Sequence, residues 1–129
     1  MGAPFLFRPD GYRNGKTLLE PCDLVWAYNG CIILFSMIEG GRSREKMSRH
    51  NFNQMKGFYK ERHRGYSIKG KNPYSRFDIA FDQYPHKVLI SLVKGGDALS
   101  ELNPGVGDEL ASLSLPKPTL CAAITQNVL

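Results

Sequence analysis

Glu20 and Asp23 stand three residues apart at the head of an apolar segment, "LEPCDLVWAYNGCIILFSMIEGG", residues 18–40. Two carboxylates at a strand's beginning are the kind of groups that metal-assisted or acid–base chemistry uses. The segment runs out through Ser36, Met37 and Ile38, none of which carries charge or binds a hard cation. It therefore reads in three ways: an active site, the remains of one, or an ordinary hairpin with acidic edges. Asp78 and Asp82 in "FDIAFD" have even separation, so on one strand they would share a face and could join Asp23; solvent-facing acids are the commoner origin of such a pair. His50, His63 and His86 pair by spacing with no nucleophilic Ser or Cys, so a hydrolytic triad has no support.

The elements that would position these groups follow from the pattern. Residues 4–17 carry Pro4, Pro9, Gly11 and Gly15 and read as an extended N-terminal arm, 1–17, on a single domain. Asn29-Gly30 is a strong two-residue turn signal, because both residues tolerate positive φ; it joins strands into a hairpin over 23–37. Cys31 to Met37 is continuously apolar, the pattern of a strand covered on both faces, so helices are expected above and below it. Ser43 can cap a helix running to about Glu61, with Phe52, Met55 and Tyr59, widened by Met47 and Phe58, as its buried stripe. Gly57 costs that helix about 1 kcal/mol relative to Ala, which suggests a close contact there. Residues 63–76 read as a basic loop, 77–81 and 87–93 as strands, 94–118 as loop with a short helix from Asp108 to Leu113, and "TLCAAIT" as a last strand. The order ββαββ(α)β is an α/β (α+β) domain: a mixed central sheet with one principal helix at about 43–61.

"LEPCDLVWAYNGCIILFS" is similar to the core hairpin of the PD-(D/E)XK nucleases, the restriction-endonuclease-like superfamily; the likeness covers about residues 12–60. The resemblance implies a restriction-endonuclease-like fold and Mg²⁺-dependent hydrolysis of a phosphodiester. Glu20 and Asp23 match its Glu-x-x-Asp step and would be metal ligands and catalytic groups. The acid-x-lysine step that should end the second strand is missing: Ser36 or Met37 replaces the acid and Ile38 the lysine. Glu39 could serve as the second acid if a bulge re-aims it, and Lys46, early in the next helix, could replace the lysine. Gln54, followed by Phe58 four residues on, resembles a Gln-x-x-x-aromatic step and would orient the attacking water. Arg42, Arg44, Arg49 and Lys56 would hold the nucleic acid.

Charge points the same way. Eleven of the seventeen Lys/Arg fall between Arg42 and Arg76 against two acids, Glu45 and Glu61, while the whole chain is only +5. A basic central third on an acidic remainder is a polyanion-binding footprint. Tyr59, Tyr66, Tyr74 and Phe77 interleave with those cations as a base-stacking platform would. No apolar run approaches the roughly 20 residues of a membrane span, no secretion signal opens the chain, and three cysteines without C-x-x-C spacing suit buried thiols in the cytoplasm. The leading expectation is a Mg²⁺-dependent nuclease or an inactivated relative. The alternatives are a non-enzymatic module binding nucleic acid or protein, and a structural subunit whose apolar edge strand pairs with a copy of itself or with a larger protein partner.

Overall fold

The computed structural model describes residues 5–39, 44–62, 67–94, 99–102, 109–113 and 115–126; within these, the side chains at 14, 38, 39, 44–48, 93, 94, 99–102 and 122–126 lie outside the description. In chain order the elements are β1 (Leu6–Pro9), β2 (Tyr12–Asn14), β3 (Thr17–Leu19), β4 (Leu24–Tyr28), β5 (Cys31–Glu39), α1 (Arg44–Arg62), β6 (Ser67–Lys71), β7 (Arg76–Ala80), a 3-10 turn (Phe81–Gln83), β8 (His86–Lys94), β9 (Leu99–Leu102), a helical turn at 109–112 and β10 (Leu120–Gln126). Among the described residues eight strands form one mixed sheet in the order β7-β6-β1-β4-β5-β8-β10-β9, and β2 and β3 form a separate hairpin. The architecture is α+β, with the expected hairpin and principal helix.

Asn29 and Gly30 both have positive φ, 52° and 78°, so β4 and β5 close into a tight hairpin with Tyr28 opposite Cys31. From there β5 pairs in parallel with β8 without interruption, from Cys31↔His86 to Glu39↔Lys94, and β10 pairs in parallel with β8. A parallel neighbour needs a crossover, and α1 supplies it, lying over β5 and β8. Its buried stripe is Phe52, Met55, Phe58 and Tyr59, packed on Val25, Ile32, Leu34 and Leu89.

Asn51 is the polar exception in that layer. It is buried, and its Nδ2 donates to the Ser91 Oγ at 2.8 Å and the Ser36 carbonyl at 3.1 Å. Ser36 and Ser91 are register partners on β5 and β8. One amide thus ties the helix to both strands, where apolar packing alone would tolerate sliding.

Several expectations are corrected. The N-terminal arm contains a strand inside the sheet: Leu6 and Phe7 pair with β4, and Arg8 and Pro9 with β6. The basic loop 63–76 contains β6, whose Ile68 and Gly70 face inward while Lys69 and Lys71 face water. Gly70 is the reason β1 can lie so close, since a Cβ there would sit 2.3 Å from the Arg8 carbonyl oxygen. The strand expected at 77–81 ends at Ala80, so Asp82 belongs to the 3-10 turn and shares no strand face with Asp78. β9 falls in what reads as loop. Gly57 has open space, with only the Tyr12 hydroxyl near at 3.6 Å. Among the described residues one long helix covers one face of the sheet; none covers the other.

Candidate functional site

The acidic corner forms where β4 begins. The Asp23 N–H donates to the Phe35 carbonyl at 2.8 Å, and its Oδ2 accepts the Met37 N–H at 2.6 Å. The carboxylate thereby replaces the backbone acceptor that β4 would have offered had it started two residues earlier, and extends the ladder. Glu20 lies in the preceding loop, and its backbone carbonyl accepts the Gln54 Nε2 at 3.3 Å, which fastens the loop to α1. Glu20, Pro21, Cys22 and Asp23 line a cleft of about 280 Å³ together with Arg8 and Pro9. The fold therefore brings Glu20 and Asp23 into one cleft and ties Gln54 to the Glu20 backbone.

The remaining expected groups are placed as follows. β5 pairs with β8 without a bulge, so the Glu39 position belongs to the face of Met37 and Phe35 and not to that of Ser36. Ser36 faces α1, with a buried hydroxyl that has no hydrogen-bond partner among the described residues. Lys46 occupies the first turn of α1; its side chain and that of Glu39 lie outside the description. Among the described residues no three potential metal-ligating side chains come together. Two carboxylates, one already committed to a backbone amide, beside a guanidinium in the same cleft do not by themselves compose a Mg²⁺ centre, which wants octahedral oxygen ligands. Two of the three thiols are held in the neutral form: burial pushes Cys22 far up and Cys121 to about 11, so both stay protonated at neutral pH.

The expected phosphate-binding helix is partly occupied by its own chain. Arg49 and Lys56 both hydrogen-bond and ion-pair with Glu109 from the 109–112 turn. Arg42 lies outside the described residues; Arg44 begins α1, and its side chain lies outside the description. The hydrogen bonds from Lys56 and Arg49 hold the Glu109 carboxyl below its ordinary range. A depressed acid stabilises the fold above its unfolded pKa and loses that contribution as pH falls through its folded value. Glu109→Gln is thus expected to narrow the drop in melting temperature between pH 7 and pH 3; an equal drop in variant and wild type would show the cluster to be inert.

Free positive charge gathers elsewhere. Arg8 is the register partner of Lys71, and Lys71 of Arg76, so three exposed cations line up across β1, β6 and β7. Directly opposed like charges destabilise a sheet by themselves, and an anion lying across them relieves this. None of the three ion-pairs with a described residue; Asp78 stands two pairs along, opposite Lys69. Beside the row, Leu6, Leu24, Pro73 and Tyr74 line an apolar groove of about 650 Å³, with Arg8 and Lys71 also in its walls. Tyr74, on the β6–β7 turn, is 79% exposed. By contrast Tyr59 is buried and donates to the Pro116 carbonyl, Phe77 stacks on Phe7 at 4.4 Å, and Tyr66 and His63 lie outside the described residues. His50 and His86 are exposed, and His86 stands opposite Cys31 in the β5–β8 pairing.

The chain matches no family model, no curated protein and no solved structure. Among the described residues no helix is long and apolar enough to cross a membrane. The cation row escapes sequence reasoning because its members are 8, 71 and 76. Only strand pairing makes them neighbours, and the single local clue was the Lys69/Lys71 alternation about Gly70.

Proposed function

We propose that the chain is a non-enzymatic nucleic-acid-binding module, an inactivated relative of the PD-(D/E)XK nucleases, that grips its ligand on the β1-β6-β7 face. The observation carrying this reading is the Arg8–Lys71–Arg76 row, three exposed cations held in register with no described acid paired to them. Tyr74 adds an exposed ring beside the row, on which a base can stack. Three free thiols among the described residues agree with a reducing, cytoplasmic setting.

Anisotropy of a labelled single-stranded oligonucleotide, titrated between 50 and 200 mM salt, tests it. Each phosphate contact contributes about 0.7 to the slope of log K against log salt for a single strand, so replacing Arg8, Lys71 and Arg76 with Ala should lower that slope by about 2. Tyr74→Ala should weaken binding roughly tenfold at an unchanged slope, since stacking releases no counterions. A slope untouched by the triple substitution sinks the reading.

Phosphodiester hydrolysis at Asp23 and Glu20 is the second reading, supported by their meeting in one cleft beside Gln54. It requires Mg²⁺ or Mn²⁺ to raise the melting temperature, and Asp23→Asn to abolish the rise, because a ligand of the native state alone must stabilise it. An unchanged midpoint in millimolar metal leaves only the binding module.

A further inference from the structure

β5 and β8 are apolar on both faces, and among the described residues a helix covers only one of them. Ile32, Leu34 and Leu89 pack beneath α1. The alternate positions Ile33, Phe35, Met37, Val88 and Ile90, with Trp26 on β4, point the other way and are half-buried or exposed, Met37 at 47%. The β2–β3 hairpin through Tyr12 on Phe58, the 109–112 turn through Leu110 and the 3-10 turn through Phe81 on Tyr59 all lie toward α1, while on the outer side Phe5 rests on Tyr28 and Pro73 and Tyr74 flank Leu6 and Leu24 at the margin. Strands that read apolar throughout belong to sheets buried on both sides.

We propose that two copies of the chain stack these outer faces sheet on sheet, as a twofold dimer. Three observations select a second copy as the occupant. The first is size. Four strands, β4, β5, β8 and β10, spaced about 4.8 Å apart and about seven residues long at about 3.3 Å each, present a projected face of roughly 450 Å², bounded on β1 by Arg8, which lies on the same side. Corrugation by side chains brings its accessible area toward the ~800 Å² per partner of a standard stable interface, above what a monomer ordinarily exposes. The second is what the chain can offer itself. The stretches outside the description are six residues or shorter, and their large apolar side chains are only Met1, Tyr66, Val106, Val128 and Leu129. These cannot tile the face.

The third is charge. The outward positions of Leu24–Tyr28, Cys31–Met37 and Val88–Leu92 include no charged residue, so the face can be laid on itself without burying an unpaired ion. A twofold interface demands such self-complementarity. Two sheets packed in this way sit about 10 Å apart. The cation row lies on β1, β6 and β7, at the flank of this patch, and the dimer does not depend on the nucleic-acid reading.

Sedimentation equilibrium of the whole chain from 1 to 100 µM tests the proposal. A dimer of twice 14.5 kDa is expected, and Phe35→Glu or Met37→Lys should weaken it at least a hundredfold while far-UV circular dichroism and melting stay cooperative. The chain's only tryptophan, Trp26, sits in the patch, so the wild type alone supplies a second readout: its emission should shift to the blue and resist acrylamide as concentration rises. A wild type that stays monomeric at 100 µM overturns the proposal. So does a dimer that survives both substitutions, which would mean pairing through a sheet edge, and so does a dimer whose Trp26 remains as quenchable as in the monomer.

Discussion

Asn51→Ala is expected to destabilise the fold by about 3 kcal/mol and to lower its melting temperature by about 10 °C. The buried amide donates at 2.8 Å to the Ser91 hydroxyl and at 3.1 Å to the Ser36 carbonyl, with the Leu92 carbonyl at 3.4 Å. Truncation removes the donor, leaves polar atoms facing hydrocarbon and opens a void under α1. The Ser36 hydroxyl, buried without a partner among the described residues, marks this layer as already short of hydrogen bonds. Asn51→Asp supplies the control. A carboxylate there faces oxygen acceptors, so its pKa is raised in the folded state and its charged form is disfavoured. The variant should therefore lose most at pH 7 and recover part of the loss, relative to wild type, as pH falls below about 5. Urea denaturation at both pH values measures this; a loss under 1 kcal/mol for Asn51→Ala would mean the amide does not pin the helix.

Gly70→Ala should cost a similar amount, about 3 kcal/mol, for a steric reason. The added methyl would lie 2.3 Å from the Arg8 carbonyl oxygen, 2.6 Å from the Phe7 ring and 2.9 Å from the Pro9 Cα. Two of these are backbone atoms of β1, which is held between β6 and β4 and cannot retreat without breaking one ladder. Because Arg8 moves with β1, the same substitution should also, on the function proposed above, weaken oligonucleotide binding beyond what lost stability explains. Gly57→Ala is the contrasting case: open space surrounds it, so helix propensity should add about 0.5–1 kcal/mol of stability. Equal melting temperatures for the two variants would refute the close approach at Gly70.

The elements legible in the sequence are those whose signals are local. Asn29-Gly30 dictates a turn by its φ angles, and the 52, 55, 58, 59 spacing dictates which side of α1 is buried. β6 was not legible because Gly70 and the neighbouring Pro73 look like loop punctuation, whereas the glycine is there to admit β1. β9 was not legible because "LSEL" is too short to show a period amid glycines. Glu20 and Asp23, three apart in the sequence, line one cleft, with Gln54 fastened to the loop that carries them. The partners there are backbone atoms: Met37 N–H for the Asp23 carboxylate and the Glu20 carbonyl for Gln54.

What the residues fixed unaided, then, was the hairpin, the amphipathic helix, the apolar character of β5 and β8 on both faces and an excess of positive charge in the middle third. Turn chemistry, periodicity and net charge act over a few residues and need no knowledge of the rest of the chain. The tertiary structure alone decided where that charge is free and where it is spent. Glu109 reaches across more than fifty residues to neutralise Lys56 and Arg49, while strand pairing aligns Arg8 with Lys71 and Arg76. It also decided that α1 covers one face only, with no described helix on the other. Such outcomes depend on contacts between distant segments, whose loop-closure entropy and steric fit no short window of sequence records.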